Sequence, residues 1–84
     1  MKLTKEEKAW VKKVNKILSQ CPSTRLGFAS MGDPSIYIFD VTRLDEIYEQ
    51  LEGNKGDFIP SAQEIGAVSV ECIEFPSAVE STAG

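Results

Sequence analysis

The sequence predicts an α+β domain: a three-stranded, mostly antiparallel sheet with two main helices packed on one face. Two observations lead to this prediction. Short apolar runs flank a Gly-Asp-Pro cluster at positions 32–34, a pattern typical of a β-hairpin. Apolar residues with helical spacing occur before and after that hairpin, and a third strand-like run follows. The predicted element order is therefore α-β-β-α-short α-β.

The first helix is predicted from about Lys5 to Gln20. Thr4 and Glu7 form a capping-box pattern at its start, and Pro22 prevents its continuation. An apolar stripe recurs at helical spacing and consists of Trp10, Val14, Ile17, Leu18 and Cys21. A lysine face lies on the opposite side and consists of Lys5, Lys8, Lys12 and Lys16. We expect the apolar stripe to pack on the sheet.

The second strand of the hairpin is apolar on both faces. Ile36 and Ile38 alternate with Tyr37 and Phe39, so the two pairs point to opposite sides of the sheet. One pairing places the two aromatic rings over the small residues at 27 and 29. The pattern leaves open which pair lies on the face without helices. A contiguous apolar patch on that face is typical of an interface, so Tyr37 and Phe39 are candidate interaction residues. The alternative is that the connection at 58–66 folds across this face and covers it.

The second helix is predicted to begin at a cap formed by Asp40 or Thr42 and to end near Leu51. Its exposed side carries an acidic strip of Asp45, Glu46, Glu49 and Glu52. A capping-box pattern at 61–64 predicts a single further helical turn.

The third strand is predicted over 67–75, where Ile73 and Phe75 break the alternation of apolar residues. Either a β-bulge near Cys72 restores the alternation, or both faces of the strand are partly covered. Its neighbour in the sheet is left open, because a position beside strand one and a position beside strand two both fit. The domain is predicted over 1–76, and 77–84 are predicted to form a flexible tail.

Charge is distributed unevenly along the 84 residues, whose net charge is -4. Residues 1–25 carry a net charge of +5 and the remainder carries -9. Three interpretations of the lysine face stay open: a solvated surface that the acidic second helix balances, a nucleic-acid contact, or a contact with an acidic protein.

The composition argues against catalysis. Histidine, the usual general base at neutral pH and the commonest metal ligand, does not occur. Cys21 and Cys72 are predicted to be free structural thiols, and the glycines form no phosphate-binding pattern. We therefore predict no catalytic residue, no cofactor and no metal site. The sequence contains no apolar run of about 18 residues and no leader-like segment, so we expect a cytoplasmic protein without a membrane partner.

The sequence LTKEEKAWVKKVNKILSQCPSTRLGF, followed by GDPSIYIFD, resembles small uncharacterised proteins of enterobacterial phages and prophages. The resemblance implies a cytosolic accessory protein of a bacterium or its phage and brings no functional residue with it. We expect the chain to bind another protein, with a homodimer as one arrangement. The alternative is a nucleic-acid-associated protein that uses the lysine face. The candidate interaction residues are Lys5, Lys8, Lys12, Lys16, Tyr37, Phe39, Asp45, Glu46 and Glu49.

Overall fold

The computed structural model describes residues 1–54 and 56–80. Its elements in chain order are α1 (Lys5–Ser19), β1 (Leu26–Ser30), β2 (Ser35–Asp40), a 3₁₀ turn (Val41–Arg43), α2 (Leu44–Asn54), α3 (Phe58–Glu64) and β3 (Val68–Glu74). The three strands form one antiparallel sheet. The predicted α+β class and element order are confirmed.

The sheet has the order β1-β2-β3, so the apolar strand β2 is central. Of the two positions left open for the third strand, the one beside strand two is correct. In the hairpin, Phe39 pairs with Gly27 and Tyr37 pairs with Ala29. The predicted placement of the two aromatic rings over small residues is confirmed.

A bulge interrupts β3 between Val68 and Cys72. These two residues pair with Phe39 and Tyr37, so four steps along β3 match only two steps along β2. The Ser69 hydroxyl stabilises the irregular stretch, because it accepts the Glu71 N–H at 2.8 Å. An irregularity is present near Cys72 as predicted, but it inserts two residues and therefore changes no residue's face: Ile73 pairs with Ile36 on the face opposite Val68 and Cys72. The expectation that a bulge restores the alternation is wrong, and the alternative with apolar residues on both faces is correct.

The core lies on one face of the sheet, beneath α2 and α3. Ile47 of α2 is fully buried and packs with Ala62 and Ala67. The half-buried hydrophobic residues against this cluster are Phe39, Phe58, Ile65 and Val68. The rings of Phe39 and Phe58 meet edge to face with their centroids 5.0 Å apart.

Helix α1 is placed differently from the expectation that both main helices pack on one face. Its capping box is present: the Glu7 N–H donates to the Thr4 hydroxyl at 3.1 Å, and the Thr4 N–H donates to the Glu7 carboxylate at 2.7 Å. However, α1 has no buried residue, and the molecule measures 48 × 28 × 22 Å. Helix α1 projects from the body, so the second helix on the core face is α3.

Helix α3 begins at Phe58, three residues before the predicted turn at 61–64. Pro60 fits because it lies in the first turn, where its missing N–H costs no intrahelical bond. Ser61 is therefore a buried residue of the helix and not its cap. After β3, the Val79 N–H donates to the Asp33 carbonyl at 3.1 Å. Residues 81–84 of the predicted tail lie outside the described residues.

Candidate interaction site

An apolar groove lies on the face of the sheet opposite α2 and α3. It has a volume of about 580 Å³. We call it the open groove, and its lining residues are Ile17, Leu18, Cys21, Leu26, Phe28, Ile36, Ile38, Ile73 and Phe75. None of these side chains carries a charge.

Strand alternation builds the floor of the open groove. Phe28 of β1 lies opposite Ile38 of β2, and Ile36 of β2 lies opposite Ile73 of β3. Side chains on paired residues of neighbouring strands point to the same face, so these four meet across three strands. The residues that alternate with them along the strands, such as Phe39, point to the face that α2 and α3 cover. The sheet is therefore apolar on both sides, and α2 and α3 cover only one of them.

The last turn of α1 forms one wall of the open groove. Ile17 and Leu18 line it from the helix, and the side chain of Ile17 is 69% exposed. Phe28 on the floor is 48% exposed. Earlier in the helix, Trp10 continues the apolar stripe and is 53% exposed. The apolar stripe and the groove floor thus form two neighbouring hydrophobic surfaces, both accessible to solvent.

Two of the predicted interaction residues lie on the covered side instead. Phe39 packs against the core beneath α2 and α3, so its ring is not part of the uncovered patch. Tyr37 shares that side, and its hydroxyl donates to Asp33 Oδ2 at 2.9 Å. This hydrogen bond raises the pKa of Tyr37. Of the two alternatives left open, the pair on the uncovered face is Ile36 and Ile38.

Sequence reasoning did not single out Phe28, Ile73 or Phe75 as interaction residues. Phe28 occupies the same strand face as Leu26, and this alternation was the available signal. For Ile73 and Phe75 the signal was the alternation from Val68, which places them on the opposite face. The irregularity decides only their register, with Ile73 opposite Ile36. The face itself follows only from where the helices pack.

The lysine face is exposed along α1. Within residues 1–54 and 56–80, none of its lysines forms an ion pair with a carboxylate. The acidic strip does not balance this charge, since it lies on α2 at the other side of the sheet. Asp45, Glu46 and Glu49 are exposed there, and Glu46 pairs with Arg43 at 2.7 Å. The structure therefore keeps the predicted basic and acidic residues apart.

Two further cavities are more polar in their surroundings. One of about 230 Å³ lies beside Arg25 and Asp40. The Thr42 hydroxyl donates to Asp40 at 2.6 Å and the Thr42 N–H at 3.0 Å, which lowers the pKa of that carboxyl. Asp40 thus acts as the cap of the 3₁₀ turn. The other cavity, of about 540 Å³, lies between the hairpin turn and the start of α3 near Asp57.

No cluster of three metal-ligating side chains occurs in the described part of the chain. Both cysteines are free, and the Cys21 thiol donates to the Ser23 carbonyl at 3.3 Å. Across residues 1–54 and 56–80, none of the helices has the length and apolar character needed to cross a bilayer. No protein-family model, curated protein or solved structure matches the chain.

Proposed function

We propose that this chain is a non-catalytic binding module whose open groove receives a protein partner. The observation that supports this proposal is the continuous apolar lining of the groove, on the sheet face that α2 and α3 leave uncovered. Sheets bury each apolar face against another layer in stable domains. A partner that supplies the second layer would complete the architecture.

The hydrophobic gain is large enough to support binding. Fully burying a large apolar side chain contributes about 1.5–3 kcal/mol, so covering a half-exposed one contributes on the order of 1 kcal/mol. Several groove side chains are of this kind: Ile17, Leu18, Phe28 and Phe75. Since their combined gain must offset the entropy of association, we expect a moderate affinity that depends on all of them.

The chemistry of the lining favours a protein over other ligands. Small-molecule sites use a few placed polar groups to fix orientation, and the lining residues of the open groove are hydrocarbon side chains and one thiol. Nucleic acids are held chiefly through their phosphates, which require cations. The lysine face could supply cations for the alternative nucleic-acid function, but it lies on the side of α1 away from Ile17.

An affinity capture with matched variants tests the proposal. Tagged wild-type chain, Phe28→Lys and Val70→Lys are each incubated with bacterial lysate that also contains the untagged chain, with and without nuclease, and the captured proteins are identified by mass spectrometry. Val70 is the matched control, because it is an apolar residue of β3 that is 95% exposed and lies outside the groove.

We expect wild type and Val70→Lys to retain the same protein, either foreign or the untagged copy, in both nuclease arms. Phe28→Lys should lose it, since a charge in the groove opposes apolar burial. Equal capture by Phe28→Lys and wild type would overturn the proposal. Loss of the captured protein after nuclease treatment would transfer the function to the lysine face.

The biological setting remains part of the proposal. The resemblance to small phage and prophage proteins and the cytoplasmic location stay predictions, as does the absence of catalytic activity.

A further inference from the structure

We infer that the open groove binds a second copy of this chain, with the apolar stripe of α1 from each copy lying across the sheet of the other. This dimer rests on the proposed function of the groove and names its partner. Four features of the molecule support it: the exposed area, the state of α1, the connector after α1 and the match between the two apolar surfaces.

The protomer exposes far more surface than its size requires. Its accessible area is 6681 Å². A compact monomer of 9.2 kDa is expected to expose about 4,900 Å², so the excess is about 1,700 Å². Its radius of gyration is 15.2 Å, compared with about 12 Å for a compact domain of this length. A stable interface buries about 800 Å² on each partner. The excess area therefore suffices for a dimer.

Helix α1 itself needs a partner. It has 15 residues and none of them is buried, although isolated helices shorter than about 12–15 residues are marginal in water. Its capping box stabilises only the first turn. Most helical stability in proteins comes from packing an amphipathic face. Packing the apolar stripe on another surface would supply this stabilisation.

The connector after α1 is a short segment held by its own hydrogen bonds. The Cys21 N–H donates to the Leu18 carbonyl at 3.2 Å, and the Arg25 N–H donates to the Ser23 hydroxyl at 3.2 Å. Pro22 fixes one backbone dihedral between them. Docking on a second copy leaves this hydrogen-bonded segment unchanged.

The two exposed apolar surfaces of one chain are of complementary types. The groove floor is a sheet face that lacks a helix layer, and the apolar stripe is a helix face that lacks a sheet. In a two-fold dimer both needs are met twice, and the arrangement closes without leaving a free site. A second copy therefore covers each surface with the other.

Sedimentation equilibrium tests the dimer on the full chain. At about 100 µM, where a dimer with a dissociation constant of about 1 µM or tighter is almost fully formed, we expect twice the chain mass of 9.2 kDa. Ile17→Lys on the helix side and Phe28→Lys on the sheet side should each sediment as monomers, and Val70→Lys should remain a dimer. Retained amide chemical shifts of β1–β3 and α2 in a ¹⁵N–¹H NMR spectrum would show that the body of each variant is folded.

Isotope-filtered NMR on a mixture of ¹³C-labelled and unlabelled chains tests the arrangement. We expect intermolecular contacts between the Trp10 ring and the methyl groups of Ile36 or Ile38. Contacts seen only within one chain, on a monomer, would overturn the dimer and show that α1 closes onto its own sheet. A dimer unaffected by Ile17→Lys and Phe28→Lys would also overturn it.

The two proposals can fail separately. A monomeric wild-type chain that still captures a foreign protein through the groove would overturn the dimer and support the proposed function. If a dimer forms and the Phe28→Lys variant captures the same protein as wild type, the contact lies outside the groove, and both the proposed function and the proposed dimer are overturned.

Discussion

The ring of Phe39 occupies the space that a side chain at position 27 would need. Gly27 pairs with Phe39 across the hairpin, and a Cβ at Gly27 would stand 2.6 Å from Phe39 Cε2 and 2.7 Å from Val41 Cγ1. Such distances are far below van der Waals contact. The absence of a side chain at this position therefore allows the aromatic ring to lie flat between the sheet and the core helices.

Gly27→Ala should destabilise the domain by about 1–3 kcal/mol, because the added methyl group forces the ring or the strand to shift. Urea unfolding, followed by far-ultraviolet circular dichroism, measures the change in the free energy of unfolding. Gly53→Ala in α2 is the control, since no atom lies within 4 Å of the added Cβ, and alanine should stabilise the helix by up to about 1 kcal/mol. If Gly27→Ala left the free energy of unfolding unchanged, the close contact between position 27 and the Phe39 ring would be contradicted.

Ile47→Val should reduce the free energy of unfolding by about 0.5–1.5 kcal/mol, because it removes a methylene from the centre of the core. The side chain of Ile47 is 0% exposed. The matched change Ile17→Val in α1 should cost less than about 0.5 kcal/mol when measured on dilute, monomeric chains. The urea midpoints of the two variants, each compared with wild type, measure the two losses of stability. Equal losses would mean that α1 packs on the core of its own chain.

Much of the fold can be predicted from the sequence, because local signals determine it. The capping box at Thr4 and the Gly-Asp-Pro turn mark where elements begin and end. The register that sets Phe39 over Gly27 follows from the need to place large rings over small residues. The broken alternation in β3 is a less reliable signal, because Ile73 lies on the face opposite Val68 and Cys72 and the strand is apolar on both faces.

The location of the groove could not be predicted in the same way. Ile36 and Phe39 lie in a strand that is apolar on both faces, so alternation separates the faces without saying which one the helices cover. The amphipathic pattern of α1 likewise predicts that its stripe packs on another surface, but not on which one. Both questions depend on long-range packing, and under the proposed dimer the second also depends on contacts between two chains.

The Tyr37 pKa gives a pH-dependent signature of the hairpin turn. The hydrogen bond to Asp33 raises this pKa above the usual value of 10.0 by favouring the neutral phenol. The resulting stabilisation is complete below the unfolded pKa and is lost as the pH rises through the folded pKa. Asp33→Asn should shift the tyrosinate absorbance transition assigned to Tyr37 towards 10.0. Tyr37→Phe should abolish that transition, and an unchanged transition in Asp33→Asn would contradict the assignment.

The Asp40 cap has the opposite pH dependence. Hydrogen bonds from the Thr42 hydroxyl and N–H lower the pKa of Asp40 below 3.8. The stabilisation from this carboxylate is complete above the unfolded pKa and is lost as the pH falls through the lowered folded value. Asp40→Asn keeps a capping side chain but cannot ionise, so it should flatten the acid slope of stability. Thr42→Val should flatten it in part, and urea midpoints across the acid range would show both effects.

Neutralising the lysine face separates the two candidate functions. Lys8→Gln, Lys12→Gln and Lys16→Gln together should leave the groove contact and the sedimentation mass unchanged, because these side chains lie on the side of α1 away from Ile17. Glutamine has a helix propensity close to that of lysine, so the circular dichroism of α1 should also be retained. Fluorescence anisotropy with a labelled oligonucleotide measures the alternative. A nucleic-acid contact on the lysine face would be established if wild-type binding weakened steeply between about 50 and 200 mM salt and disappeared in the triple variant. The reason is that each lysine bound to a phosphate adds to the affinity and to its salt dependence, and the variant lacks these lysines.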